Sequence, residues 1–315
     1  MRTKLLGLFL FISITFSSCR QSQGASKEET TEQETSFSFN SDSLLTHIKT
    51  LSSDAFEGRQ TGTRGSEKAR HYIIDELKSL NVKPLLENYE QSFSFQSDGK
   101  TYNGSNILSI IPGTSTPKKY IVISAHYDHE GIKNGEIYNG ADDNASGVGG
   151  LMAFAEYFKK NPPKHSVVLA FFDAEELGLE GSEYYVEHSK IDLNAIVLNI
   201  NMDMISRNDA NELYVSGVKS DVRLNEVEVI SSFISSEDLT LLTGHDGSDD
   251  KQDWTYSSDH GSFHNKNIPY LYFGVEDHKD YHKPADDFEN IQPEFYKHAV
   301  QTVISIFEQL DKISF

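Results

Sequence analysis

Apolar residues recur along this chain with two different periods. Between Ser66 and Leu80 they fall at Ala69, Ile73, Leu77 and Leu80, the spacing of one helix face, with Ser66 as a candidate cap. Asn106–Ile111 and Tyr120–Ser124 are short apolar runs that read as strands. The pattern then predicts a helix over 146–158, a buried strand over 167–172, a helix over 182–188 and a strand over 195–201. A last strand over 269–273 and a closing helix over 292–310 follow. Strands interleaved with helices predict an α/β sandwich with a largely parallel sheet, and ligands in such folds gather at the carboxyl ends of strands.

Ahead of this body the pattern changes. Met1–Lys4 is basic, and Leu5–Phe16 is apolar but too short to span a bilayer as a helix. Ser17 and Ser18 then precede Cys19. This resembles a bacterial lipoprotein signal, although Phe16 departs from the usual Leu. Residues 1–19 are therefore expected to be a signal peptide with a lipidated Cys19. That implies an exported protein held by its lipid to a bacterial membrane, on the periplasmic or cell-surface side. Residues 20–39 are rich in Gln, Ser, Thr and Glu and read as a flexible tether. A single domain is expected from 40 to 315.

Composition narrows the chemistry. The net charge is −20, and loss of the first nineteen residues with Arg2 and Lys4 would make it −22. So acidic a surface repels phosphate backbones, which argues against a nucleic-acid partner. Cys19 is the only cysteine, so disulfides, thiolate metal sites and cysteine nucleophiles are excluded from the body. A transition metal would have to be held by His and carboxylates.

Five polar clusters offer such groups. His126 and Asp128 follow the second strand run, where a His can bind metal while an acid two residues on orients its ring. The plain alternative is a loop His beside a solvated Asp. Asp142 and Asp143 lie among small residues before a helix, suited to a carboxylate that bridges two cations or to an Asp-rich turn. Glu175 and Glu176 follow a buried strand and can point different ways, one binding metal and one acting as base, or serve the dipole of a helix. Asp203 ends a strand between Met202 and Met204, a poor place for an unpaired charge. His282 lies in the charged segment after the last strand. The order of these clusters, at what read as five strand ends, supplies two His and three carboxylates, a set that suits zinc. The acid-rich stretch 245–253 lacks the alternating acids, central Gly and terminal Glu of a calcium loop and reads as solvated.

From about residue 45 onward the chain resembles the M28 family of co-catalytic zinc peptidases. The resemblance is carried by His126-Tyr-Asp128, Gly140-Ala-Asp-Asp143-x-Ala-Ser-Gly147, Glu175-Glu176 before Leu-Gly, Asn-Met-Asp203, Ser258-Asp259-His260 and Asp280-Tyr-His282-x-Pro-x-Asp286. Leu51–Arg59 and Thr61-Gly-Thr63 also look like that family. The resemblance implies a three-layer sandwich with a mixed, largely parallel sheet and helices on both faces. It further implies two zinc ions, one on His126 and Asp203, the other on Glu176 and His282, with Asp143 bridging. Asp128 would orient His126 and Glu175 would be the general base. A cis Asp143–Asn144 peptide is implied as well. Asp259, His260 and Tyr256 receive no role.

Such a site hydrolyses peptide bonds. Two metals about 3.5–4 Å apart activate water between them, and a carboxylate base moves its proton. Removal of amino-terminal residues from a peptide is the expected reaction. One alternative is a single-zinc glutaminyl cyclase-like transferase. Another is a metal-free binding protein on the same fold, though such members lose ligands or the base.

Overall fold

The computed structural model describes residues 37–225, 227 and 234–315, so the expected signal segment, Cys19 and most of the expected tether lie outside the described residues. From the amino end come α1 (Ser41–Leu51), α2 (Arg64–Ser79), β1 (Lys83–Pro84), β2 (Glu90–Ser97), β3 (Lys100–Ile111) and β4 (Thr116–His126). A ribbon of β5 (Gly131–Lys133) and β6 (Glu136–Tyr138) leads to α3 (Gly147–Phe158) and β7 (His165–Phe172). Next are α4 (Glu180–Glu187), β8 (Ile196–Met202), β9 (Glu212–Ser216) and β10 (Thr240–Thr243). The chain closes with α5 (His260–Asn265), β11 (Tyr270–Gly274) and α6 (Pro293–Leu310).

Nine strands form one sheet in the order β1-β3-β7-β4-β8-β11-β9-β10, with β2 also on β3. The central quartet β7, β4, β8 and β11 is parallel. Antiparallel pairing of β3 with β7 and of β9 with β11 bounds it on either side. The quartet needs apolar residues on both faces because helices cover both. Along β7, Val167, Leu169 and Phe171 enter a large core with Ile48 of α1, Ile73 of α2, Leu151 of α3 and Phe307 of α6. Val168, Ala170 and Phe172 turn the other way, onto Tyr185 of α4 and Phe263 of α5. The result is a three-layer α/β sandwich, as the sequence implied.

Several boundaries differ from the sequence reading, and two of them have a clear physical cause. The helix expected to start at Ser66 starts at Arg64, because Thr63 is its cap and its hydroxyl accepts from the Ser66 N–H. The compact body also begins inside the segment expected to be tether. Phe39 is buried in the main core, and Phe37 packs on Phe39 and His298. Asn40 then caps α1, accepting from the amides of Asp42 and Ser43. Residues 37–315 form one compact unit.

Candidate metal centre

Parallel strands that stop at the same level set their following residues side by side. His126 is the last residue of β4, Asp203 directly follows β8, Glu175 and Glu176 come just after β7, and His282 lies in the segment after β11. Asp143 departs from the expectation of five strand ends: it sits in the turn between β6 and α3. That turn is positioned by other means. The Asp286 carboxylate accepts the amides of Asp142 and Asp143 at 3.0–3.1 Å. Arg59, wholly buried, donates to the carbonyls of Leu51, Tyr127, Asn139 and Gly140 at 2.6–2.9 Å. The Asp143–Asn144 peptide is cis, as the resemblance implied.

The five residues converge in two halves that share Asp143. His126 Nε2 lies 3.4 Å from Asp143 Oδ1 and 3.3 Å from Asp203 Oδ1. His282 Nε2 lies 3.1 Å from Asp143 Oδ2 and 3.3 Å from Glu176 Oε2. Ligand bonds of about 2.0–2.1 Å to a tetrahedral zinc put neighbouring ligand atoms about 3.3 Å apart, so all four separations match that edge. Glu175 Oε2, at 3.9 Å from His126 Nε2, lies farther out.

Hydrogen bonding supports the same fit. His126 Nδ1 is 3.2 Å from the Asp128 carbonyl oxygen. A carbonyl only accepts, so Nδ1 carries the proton and Nε2 turns a lone pair towards carboxylates. That Nε2 and Asp203 Oδ1 are buried without hydrogen-bond partners. Orphaned polar atoms facing one another are costly unless a cation lies among them. The electrostatics of the buried groups carry the same imbalance. Burial, reinforced by Asp203, Glu176 and Asp259 and opposed by His126, holds Glu175 well above the usual carboxylate range. Burial and Asp143 push Glu176 up to about 8. Burial works against a charged His126, yet Asp203 and Glu175 outweigh it and raise its pKa well above the ordinary value. The residues therefore fit a hard-to-borderline divalent ion in each half.

Asp128 borders the His126 ring, with its carboxylate 3.6 Å and its carbonyl 3.2 Å from His126 Nδ1. The carboxylate also accepts the amides of Glu175 at 3.1 Å and Glu176 at 3.4 Å, which fixes the backbone that aims both glutamates.

Sequence reasoning missed His129. It is buried, its Nδ1 lies 2.6 Å from Glu176 Oε1 and 3.7 Å from Asp143 Oδ2, and burial lowers its pKa to about 4. The 2.6 Å separation is shorter than a metal-ligand edge, so His129 abuts Glu176 rather than completing the tetrahedron. Its signal was in plain view as a third polar residue in His126-x-Asp128-His129. Asp259 is buried near the site with both carboxylate oxygens lacking partners, while His260 points away and its Nε2 donates to the Trp254 carbonyl. Tyr256 lines the adjoining cleft and is largely exposed.

The comparisons with known proteins agree with this geometry. The profile of Peptidase family M28 matches residues 106–307. Aminopeptidase YwaD of Bacillus subtilis (strain 168) is 30% identical over 230 residues, 68% of this chain and 47% of that protein. A vacuolar membrane protease of Candida tropicalis is 28% identical over 134 residues, 40% of this chain and 14% of that protein. This chain thus spans about half or less of those relatives. Among solved structures, BSAP, a zinc aminopeptidase from Bacillus subtilis, superposes with a TM-score of 0.69 at 19% identity, covering 88% of this chain and 97% of that one. Porphyromonas gingivalis glutaminyl cyclase superposes with 0.71 at 19% identity, covering 87% and 99%. At such identities the superpositions speak for the fold. With the family profile spanning most of the body, the chain belongs to peptidase family M28, the zinc-peptidase family its motifs resemble.

Proposed function

We propose that this chain is a two-zinc aminopeptidase in which His126 and Asp203 hold one ion, Glu176 and His282 hold the other, and Asp143 bridges them. The observation that carries the amino-terminal specificity is the charge of the cleft. A cleft of about 430 Å³ opens onto the centre, and among the described residues that line it are Asp143, Glu175, Glu176, Asp203 and Asp277 but no Lys or Arg. With Asp143, Glu176 and Asp203 matched by the two ions, Asp277 beside Glu175 is left to face a free α-ammonium group, and among the described residues no Lys or Arg side chain lines the cleft to receive a terminal carboxylate.

Zinc in these positions supplies Lewis acidity, which polarises a carbonyl and makes water nucleophilic near neutral pH. The chain's own groups do the rest. Glu175 takes the proton of the attacking water on its carboxylate and hands it to the leaving amine. Asp128 keeps Glu175 and Glu176 apart in direction through their two amides. Asp286 and Arg59 hold the turn that carries Asp143.

The glutaminyl cyclase alternative shares the fold, and near-equal TM-scores do not separate the two. The complete set of two half-sites with Glu175 favours the hydrolase, and the same set disfavours a non-catalytic binding protein. Aminoacyl substrates and amino-blocked peptides, assayed with and without added zinc, test the reading. Turnover is expected only with a free amino terminus and loaded protein. Equal cleavage of blocked peptides, or cyclisation of amino-terminal glutamine alone, would refute it. Zinc analysis is expected to give close to two ions per chain.

The amino-terminal sequence supports an exported protein anchored through a lipid on Cys19. The variant Cys19→Ala is expected to leave the membrane fraction or fail to mature, and unchanged fractionation would count against the anchor.

A further inference from the structure

The two halves of the centre are not alike behind their ligands. In the half of His126, the nearest acceptor to the ring Nδ1 is a neutral group, the Asp128 carbonyl at 3.2 Å. In the half of Glu176 and His282, the groups behind the ligands come from two consecutive residues, His129 and Glu130, on the segment between β4 and β5.

His129 is buried, and its Nδ1 lies 2.6 Å from Glu176 Oε1. The other oxygen of that carboxylate, Oε2, is the one that faces His282 Nε2 at 3.3 Å. An ionised carboxylate only accepts, so His129 offers Nδ1–H to one oxygen and leaves the second for a cation. The ring keeps this place because residue 140 is a glycine at φ +56°, where a Cβ would stand 2.5 Å from the His129 Cδ2.

Glu130 serves the other ligand. Its Oε1 is 3.5 Å from His282 Nδ1, an ion-pair distance, and Lys133 pairs with the same carboxylate. The His282 ring is held on its remaining sides, with Tyr281 stacked on it at 3.9 Å between centroids and His129 edge-on at 5.8 Å. A carboxylate behind a ligating imidazole fixes its tautomer and strengthens it as a donor. On the two-zinc reading of the centre, we propose that His129 and Glu130 together tune the Glu176 and His282 half: His129 fixes which oxygen Glu176 presents, and Glu130 sets the tautomer and donor strength of His282. Both are positioning residues, each acting through a ligand. They act on one ion and leave the ion of His126 and Asp203 alone.

Zinc titration of the chelator-treated full chain tests this, because it reads each ion without turnover. His129→Ala and Glu130→Ala are each expected to weaken one of two ions about 10–100-fold and to leave the other within about threefold of wild type. His129→Asn, whose amide N–H replaces Nδ1–H, and Glu130→Gln, whose amide oxygen still accepts, should each recover most of the loss. A merely structural role in the segment would give no such rescue. With His126→Ala in place, so that the second half stands alone, Glu130→Ala should weaken the remaining ion by the same factor. With His282→Ala in place it should change nothing, and an equal loss there would overturn the proposal. Glu130 is partly exposed, so its variants decide the matter should His129→Ala fail to fold. Both ions within about threefold of wild type in Glu130→Ala, or both weakened alike, would also overturn it. A wild-type chain that takes up a single ion refutes the two-zinc reading instead. Glu130→Ala then decides on that ion: a loss of about tenfold upholds Glu130 as the partner of His282, and no loss overturns it.

Discussion

Replacing Arg59 tests how the fold holds the bridging carboxylate. Arg59 is among the largest wholly buried side chains, and its guanidinium spends its donors on carbonyls of three separate segments, at Leu51, Tyr127 and Asn139–Gly140. Burial lowers its pKa to about 10, with Asp143 and Asp286 opposing, so it stays charged at neutral pH. Arg59→Met removes four charge-assisted bonds and leaves the carbonyls of Leu51, Tyr127 and Asn139 in a dry interior. Each buried bond to a charged group contributes about 1.5–3 kcal/mol, and relief of the guanidinium desolvation offsets part of the sum. The net loss expected is about 3–5 kcal/mol. With a urea m-value of about 3 kcal/mol per molar for a body of this size, the unfolding midpoint of the chelator-treated protein should fall by about 1–1.7 M. Arg59→Lys keeps the charge but not the planar fork that spans three segments, so it should recover less than half of the loss. A midpoint within about 0.3 M of wild type for Arg59→Met would refute the reasoning, since that corresponds to about 1 kcal/mol.

Three further outcomes are expected. Asp143→Asn should weaken both ions together in a zinc titration, because its two oxygens face the two histidines separately; loss of one ion alone would contradict the bridge. Glu175→Gln should retain fold and metal content while losing most turnover, because an amide cannot accept the proton; near wild-type turnover with metal intact would remove Glu175 from the base role. Asp311 accepts from the amides of Lys164 and His165 and from His165 Nδ1, and these bonds hold its pKa below the usual value although burial opposes them. A depressed carboxylate stabilises the fold above its unfolded pKa of about 3.9 and loses that contribution as pH falls through the folded value. The stability gap between wild type and Asp311→Asn in urea melts should therefore be full at pH 7 and shrink on acidification below about pH 4, and a constant gap would show that the charge plays no part.

Much of this was legible in the chain itself. The alternation of β7 and its continuous apolar run followed from burial on both faces, a local property of the sequence. His126, Glu176 and Asp203 were legible because they follow strand patterns directly, and parallel strands place their carboxyl ends together. α1 went unread, although Leu44, Ile48 and Leu51 lie on one face, because its charged residues and the adjoining polar tract masked the period.

What the sequence could not decide is who touches whom across distant segments. Asp143 stands in a turn whose place depends on Asp286 and Arg59, residues far from it in sequence, and no local pattern encodes that convergence. Asp128 is two residues from His126, and that spacing suggests a ring orienter, but only the packing of β4 beside β7 shows that its carboxylate also holds the amides of Glu175 and Glu176. His129 reads as one more polar loop residue until the fold presses it against Glu176. Strand and helix patterns are written by local periodicity, whereas a site is written by distances between segments, and those exist only once the chain has folded.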